Sequence, residues 1–514
     1  MAESKKKSKS AANTETIVLL FSVFFVGLCT IIYELLIGSI SSYFLGDSIK
    51  QFSLTIGLTM SAMGLGTYFS RFIRKNLLLK FILIEGILGI VGGLSVPILY
   101  GAYAAEISYY PVMVLFIILI GILIGLEIPL LTRIMVKYYS LRQNISNILS
   151  LDYLGALFAS LLFPFLLLPV FGLFQSSIVA GGLNVLVAAF ALYFFRDYIS
   201  NKHLKSLQII IIAVIAILAG FFLAENKLMN AWESALYDDR VILSKQTKYQ
   251  KIVVTKDKKD IRLFLDGNLQ FSSIDEYRYH EALVHVPMTL GSQRKSVLIL
   301  GGGDGLAVRE VLKYPEVEKI TLVDLDPEVT RLAIKHPLFL EVNGQSLLNS
   351  KVQVIHEDAF TFLNESNEYF DVILGDLPDP RNVSLSRLYS REFFKTVRKR
   401  LSKQGVFVTQ ATSPFFAKKA FWCIVESVRS ADFKHVKPYH VYVPSFGDWG
   451  FVLASSIKLE EDRKLSVKTR FLDANIFQTV FNFSKDLIEK DIEFSALNDP
   501  KIFRYYLQGW QNWF

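Results

Sequence analysis

Residues 295–333 read KSVLILGGGDGLAVREVLKYPEVEKITLVDLDPEVTRLA. An apolar strand, VLIL, runs straight into the glycine loop GGGDG, residues 301–305, and a helix, LAVREVLKY, follows. A second strand, ITLVDLD, ends in acids about 20 residues past the glycines, the layout of a dinucleotide-type βαβ unit. Glycines such as Gly301 and Gly303 let the backbone turn sharply and approach a ligand. Asp324, at the end of the second strand, can accept hydrogen bonds from ribose hydroxyls. Asp304 departs from the usual pattern, because it sits where a helix N-terminus would hold a phosphate. A carboxylate there repels phosphate and attracts a cation. The loop therefore points away from NAD and towards a sulfonium nucleoside bearing an amine, like an adenosylmethionine. The competing reading of Asp304 is a helix N-cap.

Working outward, VQVIHEDAFTFL, YFDVILGDLPDP and GVFVTQA supply further strands, two of them ending at Asp358 and Asp376. Ligands of parallel α/β sheets bind outside the carboxyl ends of the strands. Asp304, Asp324, Asp358, Asp376 and Asp379 are thus expected on one rim. Carboxylates so gathered repel and raise each other's pKa. A polycationic substrate would relieve that strain, so the cleft reads as one for a nucleoside sulfonium beside a diamine. Upstream, IVVT near Ile252, RLFLDG and LQF read as a small β-meander around polar turns, followed by a helix containing DEYRYHEALVH.

The first 224 or so residues are of another kind, apolar runs with short polar breaks, and they raise the hydrophobic share of the 514-residue chain to 52%. Seven segments approach the ~20 residues of a bilayer span: 17–40, 53–72, 77–100, 111–131, 151–171, 176–195 and 207–223. The first is too long for a cleavable signal peptide, and a second span follows it directly. Lysines and arginines cluster in alternate loops, beginning with Lys5, Lys6, Lys7 and Lys9, which sets the N-terminus in the cytoplasm. The net charge of +8 fits this positive-inside pattern and no basic stripe with exposed aromatics, so nucleic-acid binding is not expected. Cys29 and Cys423 lie in no zinc or redox spacing and read as small buried hydrophobes. Glu34, Glu85 and Glu127 are carboxyls at membrane depth, hence functional candidates or else protonated, paired or snorkelling groups. GLTMSAMGLG and GILGIVGG read as close helix-packing faces.

The fold expected is an α-helical membrane domain of about seven spans (1–231), a small β-strand domain (232–270), a Rossmann-like, methyltransferase-type α/β domain (271–456) and a helical, aromatic-rich C-terminal extension (457–514). The tail FRYYLQGWQNWF could cover an apolar surface, meet a dimer partner or lie at the membrane interface.

LDGNLQFSSIDEYRYHEALVHVP, GGGDG, VDLD, EDAFTF and DLPDP, in this order over residues 232–456, resemble the spermidine synthases, and the front half resembles the multi-pass module of some bacterial members. The resemblance implies aminopropyl transfer from decarboxylated S-adenosylmethionine to putrescine, giving spermidine and methylthioadenosine. It implies no metal, no tightly bound cofactor and no covalent intermediate. It makes Asp376 the acid–base residue, and Asp379 the ligand of the diamine's ammonium. Asp304 and His280 line the aminopropyl-donor site, Asp324 binds ribose, Asp358 the adenine amino group, and Gln250 the donor. Tyr279 and Gln410 lie on the diamine side. His280 stands where many soluble members have Gln, and Phe446, in PSFGDWGF, stands where many have Tyr, so a phenolic hydroxyl is missing from the acceptor side. The partners implied are putrescine or a similar diamine, membrane lipid and a second copy of the chain in a homodimer. The alternatives are an adenosylmethionine-dependent methyltransferase, whose donor carboxylate Asp304 would repel, and a polyamine transporter or sensor without turnover. The bacterial inner membrane is the expected location. Seven crossings put the catalytic half outside, whereas its substrates put it in the cytoplasm. The cytoplasmic placement, preferred on chemical grounds, requires residues 207–223 not to cross.

Overall fold

The structure is a computed structural model describing residues 2–237, 239–459 and 464–511, with side chains from residue 14 onward, residue 234 excepted. The lysine side chains at the N-terminus and the last three residues of the aromatic tail lie outside the described part. The chain forms two compact units, Met1–Val241 and Ile242–Phe514.

The first unit is built of helices up to residue 236: α1 (Ala2–Leu45), α2 (Ser48–Phe69), α3 (Leu77–Gly93), α4 (Ser95–Ala104), α5 (Tyr109–Met135), α6 (Leu141–Leu162), α7 (Leu168–Phe194) and α8 (Asn201–Leu236). The seven expected segments resolve into five helices long and apolar enough to cross a membrane, among the described residues. Two features account for the difference. Residues 141–194 count as one helical run of 54 residues, about 80 Å at helical rise and well over a ~30 Å hydrocarbon core. That run is broken at Gly172 (φ 64°, ψ −172°), between the two segments expected there. The other feature is α2, which is not among the five. It buries Gln51, Thr55 and Thr59, and these polar residues lower its hydropathy. Yet α2 runs alongside α5 in the same direction: Gln51 donates to the Tyr110 hydroxyl at 3.2 Å near one end, and Thr67 to the Gly125 carbonyl at 3.0 Å near the other. A Cβ on Gly125 would stand 2.1 Å from the Met63 carbonyl oxygen, so the pair depends on glycine at the contact. In GLTMSAMGLG, only Gly66 makes such an approach, while Gly57 and Gly64 face open space. In GILGIVGG, Gly89 and Gly93 abut Gly181 on α7. Residues 207–223 lie inside α8, whose span has a mean hydropathy of 2.9, the highest of the five. Glu85 and Glu127 are buried, and Asn184 links the Tyr33 hydroxyl (2.6 Å) to Glu85 (2.8 Å).

The second unit opens with a four-stranded sheet in sequential order, β1 (Arg240–Gln246), β2 (Lys251–Asp257), β3 (Asp260–Leu265) and β4 (Asn268–Ser272). The meander thus has one strand more than its text suggests, because RVILSKQ is mostly exposed and carries little apolar pattern. After α9 (Glu276–Leu290) come β5 (Ser296–Gly301), α10 (Leu306–Val311), β6 (Lys319–Asp324), β7 (Val352–His356), β8 (Phe370–Asp376), β9 (Leu401–Gln410), β10 (His435–Val443) and β11 (Gly447–Ser455). They form a seven-stranded sheet ordered β10-β11-β9-β8-β5-β6-β7. The pairs from β7 through β9 are parallel, and β11 and β10 add an antiparallel edge. β5 is apolar at every central position because both its faces are covered: Val297 and Ile299 join the core on one side, Leu298 and Leu300 the core on the other. Beyond residue 456 the described chain is α-helical only at Ala474–Thr479 and Lys501–Trp510, and otherwise irregular. It packs its apolar residues, such as Leu472, Phe477 and Ile502, into the same two cores.

Candidate active site

β5 leads to β6 on one side, while its other neighbour, β8, leads to β9 on the opposite side. Their carboxyl ends therefore bound a topological switch point, where α/β sheets place ligands. The register sets Gly301 beside Asp376, so the glycine loop and DLPDP leave the sheet together. Gly301 has φ 82°, and a Cβ there would lie 2.0 Å from the Asp376 carbonyl oxygen. On the other flank the Gly303 amide donates to Asp324 Oδ2 at 2.9 Å, and a Cβ would meet that oxygen at 2.6 Å. No larger residue fits at either position without displacing an acid.

α9 brings Tyr279 and His280 into this crevice. The Tyr279 hydroxyl donates to Asp376 Oδ1 at 2.7 Å. His280 Nδ1 lies 2.8 Å from Glu276 Oε2, one helical turn earlier, and Arg309 of α10 donates to both oxygens of Glu276 at 2.8 and 2.9 Å. Burial disfavours a charged His280, but Glu276, with Asp304 and Asp376 beyond it, outweighs burial and lifts its pKa to about 9. Burial lifts the Asp304 carboxyl to about 6; His280 opposes that rise and Asp376 adds to it. Asp304 Oδ1 also accepts the Leu306 amide at 2.9 Å, a local bond at the start of α10, whose N-cap position is Gly305. Asp324 is lifted by burial to about 6 against backbone bonds from Asp326 and Gly303. Asp376 is raised by burial too, moderated by His280 and Tyr279.

Asp379 belongs to a second group. Gln410 donates to its Oδ1 and Thr412 to its Oδ2, both at 3.2 Å. Burial raises this carboxyl; the polar side chains of Gln410, Tyr506 and Thr412 and the charge of Arg381 restrain the rise. Phe446, in the β10–β11 turn, lies 6.1 Å ring to ring from Tyr279.

Two expected site residues stand in other company. Asp358 caps the helix Ala359–Glu365 through the Thr361 amide (3.0 Å), and its other oxygen pairs with Arg387. Gln250 donates to Asp326 at 3.2 Å, beside Thr247, which binds the same oxygen at 2.8 Å. Sequence reasoning missed Glu276, Arg309, Asp326, Thr412 and Tyr506. The four-residue spacing of Glu276 and His280 was a usable signal; for Tyr506 no local signal exists.

Residues 276–464 match the family model described as the spermine/spermidine synthase domain. The chain is 44% identical to the polyamine aminopropyltransferase of Leptospira interrogans over 96% of its length and 98% of that protein's. It is 42% identical to the one from Oceanobacillus iheyensis, over 95% and 96% of the two chains. A solved spermidine synthase from Thermotoga maritima is 27% identical, with a TM-score of 0.44 over 48% of this chain and 84% of that one.

The charge on His280 makes the fold pH-dependent. Its folded pKa, about 9, exceeds the ordinary 6.5, so this stabilisation is complete below 6.5 and is lost as pH rises through 9. Glu276→Gln should cost about 3–5 kcal/mol at pH 6, as for a broken buried pair. The gap in Tm between the variant and the native protein should narrow steadily from pH 6.5 to 9. A gap independent of pH would mean that His280 is neutral in the native protein.

Proposed function

This chain belongs to the polyamine aminopropyltransferase family and is a transferase, and on that premise we propose that it moves the aminopropyl group of decarboxylated S-adenosylmethionine onto putrescine. The putrescine nitrogen attacks the propyl carbon bound to the sulfonium. A C–N bond forms as the C–S bond breaks, and the bond pair stays on sulfur in neutral methylthioadenosine. The nitrogen's surplus proton goes to Asp376 and then to solvent, leaving spermidine.

The observation that supports this reading best is that Asp304 and Asp376 share one crevice at the strand ends, with Asp379 in a second group nearby in the chain, all three carboxyls raised by burial. A crevice lined by buried carboxyls favours cations. In this reading Asp304 takes the donor's ammonium and Asp379 the far ammonium of the diamine. Asp376, oriented by Tyr279, receives the proton of the attacking amine, and its raised pKa suits a base. Asp324 takes the ribose hydroxyls beside Gly301 and Gly303, with Gln250, His280 and Asp358 completing the donor side. Asp358 must loosen its pair with Arg387 to reach an adenine. Phe446 and Gln410 flank the diamine, Phe446 against its methylenes. Asp376→Asn should lose roughly 10²–10⁴ in turnover, the usual worth of a general base, and still bind methylthioadenosine. Native-like turnover in that variant would contradict the mechanism.

We further propose that helices of the first unit insert in the membrane and that the catalytic half faces the cytoplasm, where its substrates arise. This placement stands against the apolar composition of α8. Reporters fused after Leu223 and at the C-terminus are expected to mark the cytoplasm. A periplasmic signal from both would place the enzyme outside.

A further inference from the structure

A cavity of about 600 Å³ opens between the end of α2, the end of α5 and the start of α6. The way these helices meet produces it. Pro129, inside α5, has no amide to give the Gly125 carbonyl, and Thr67 of α2 donates to that carbonyl at 3.0 Å. One turn on, Arg133 donates to the carbonyls of Ser70 (2.9 Å), Ile73 (2.8 Å) and Pro129 (3.3 Å). These bonds staple α5 to α2 and to the turn after it. α6 is tied to α5 at its start, where the Asn144 side-chain amide donates to the Thr132 carbonyl at 2.7 Å. It then runs along α1, and a Cβ on Gly155 would stand 2.1 Å from the Phe24 carbonyl oxygen. The wedge left between α5 and α6 is the cavity, and its volume lies in the ~300–1,000 Å³ range of small-molecule sites.

Its lining combines two chemistries. Ile128, Ile145, Ile148 and Leu149 supply hydrocarbon. The two hydroxyls in the wall are already spent, Ser70 on the Thr67 carbonyl and Thr132 on the Ile128 carbonyl, each at 2.7 Å. Arg71 and Arg133 line the same space. The carbonyl bonds of Arg133 leave its charge in place, and Arg71 lies over the rings of Tyr68 (3.6 Å) and Phe72 (4.7 Å). Neither guanidinium pairs with a carboxylate among the described residues. No Asp or Glu occurs in residues 48–84 or 128–151. Because α2 and α5 run in the same direction, the connections after them, carrying Arg74, Lys75, Lys137 and Arg142, lie at the same end of the helices. A diamine is repelled by such a field, and a nucleoside finds no free hydroxyl in the wall. A ligand with an apolar chain and an anionic head uses both halves of the lining, as basic pockets between membrane helices do for lipid headgroups.

We propose that this wedge binds an anionic glycerophospholipid, one acyl chain against Ile145, Ile148 and Leu149 and the headgroup phosphate at Arg71 and Arg133. The inference rests on the membrane insertion proposed above.

Native mass spectrometry and the rise in Tm of the full-length protein in detergent, with phosphatidylglycerol, phosphatidylcholine or glycerol phosphate added, test it. The native protein should bind phosphatidylglycerol in preference to the other two. Arg71→Gln should weaken that binding about tenfold, the loss of one contact to a charged group. Lys202→Gln, an exposed cation outside the cavity, should leave it unchanged. Leu149→Trp should fill the wedge and abolish binding, with the Tm of the lipid-free protein unchanged; Ile145→Trp repeats this at a second exposed wall residue if the first variant does not fold. Equal binding of the two phospholipids, equal losses in Arg71→Gln and Lys202→Gln, or glycerol phosphate bound as tightly as the lipid would each overturn the site. Flotation with phosphatidylcholine vesicles separates the two claims. A protein that floats but shows no Arg71-dependent lipid preference loses the site alone, whereas one that does not float loses membrane insertion and the site with it.

Discussion

The constraint behind this site is the cost of holding several carboxyls together out of water. Asp304, Asp324, Asp376 and Asp379 are all pushed upward by burial, and Asp376 adds to the rise at Asp304. The unit answers with a limited set of compensations: a protonated His280 locked by Glu276 and Arg309, the Tyr279 hydroxyl on Asp376, and backbone amides on Asp324. Each restrains a carboxyl without cancelling its charge. What remains uncompensated is available to a positively charged ligand. The glycine loop serves the same end, since its lack of side chains lets the two strand-end acids stand within a few ångströms of one backbone.

The helical half rests on a different constraint, close approach between helix backbones. Gly66 and Gly125 join α2 to α5, and Gly89, Gly93 and Gly181 join α3 to α7. Of the polar residues buried on α2, Gln51 reaches α5 through Tyr110.

Much of the catalytic half was legible in the text because its chemistry is local in sequence. A buried strand, a glycine turn and an acid at the next strand end are consecutive, and the βαβ unit follows from them. DLPDP announces its crevice in the same way, since a strand-end acid in a parallel sheet has only one rim to occupy. What escaped reading depends on pairings between distant segments. Arg309 matters only because α10 packs beside α9, and Tyr506 only because the chain's last described helix returns to the segment after β9, where Gly509 meets Ala417. The seven apolar segments read by composition became five long helices for a related reason. Hydropathy does not see that α2 buries its polar Gln51, Thr55 and Thr59 on one face, or that the helical run 141–194 is broken only at Gly172. Asp358 and Gln250 were read by position alone, and position does not reveal that Arg387 and Asp326 are their neighbours here.

If uncompensated carboxylate charge is what selects the substrates, the donor's own charge must decide its binding. The direct measurement is the affinity of the protein and of its Asp304→Asn variant for three nucleosides: methylthioadenosine, S-adenosylmethionine and its decarboxylated form. The native protein should prefer the decarboxylated form. The variant should lose about 1.5–3 kcal/mol of that binding, the worth of one charge-assisted hydrogen bond, and should keep its affinity for methylthioadenosine. Equal losses for all three would contradict the account and leave Asp304 as a residue that shapes the loop.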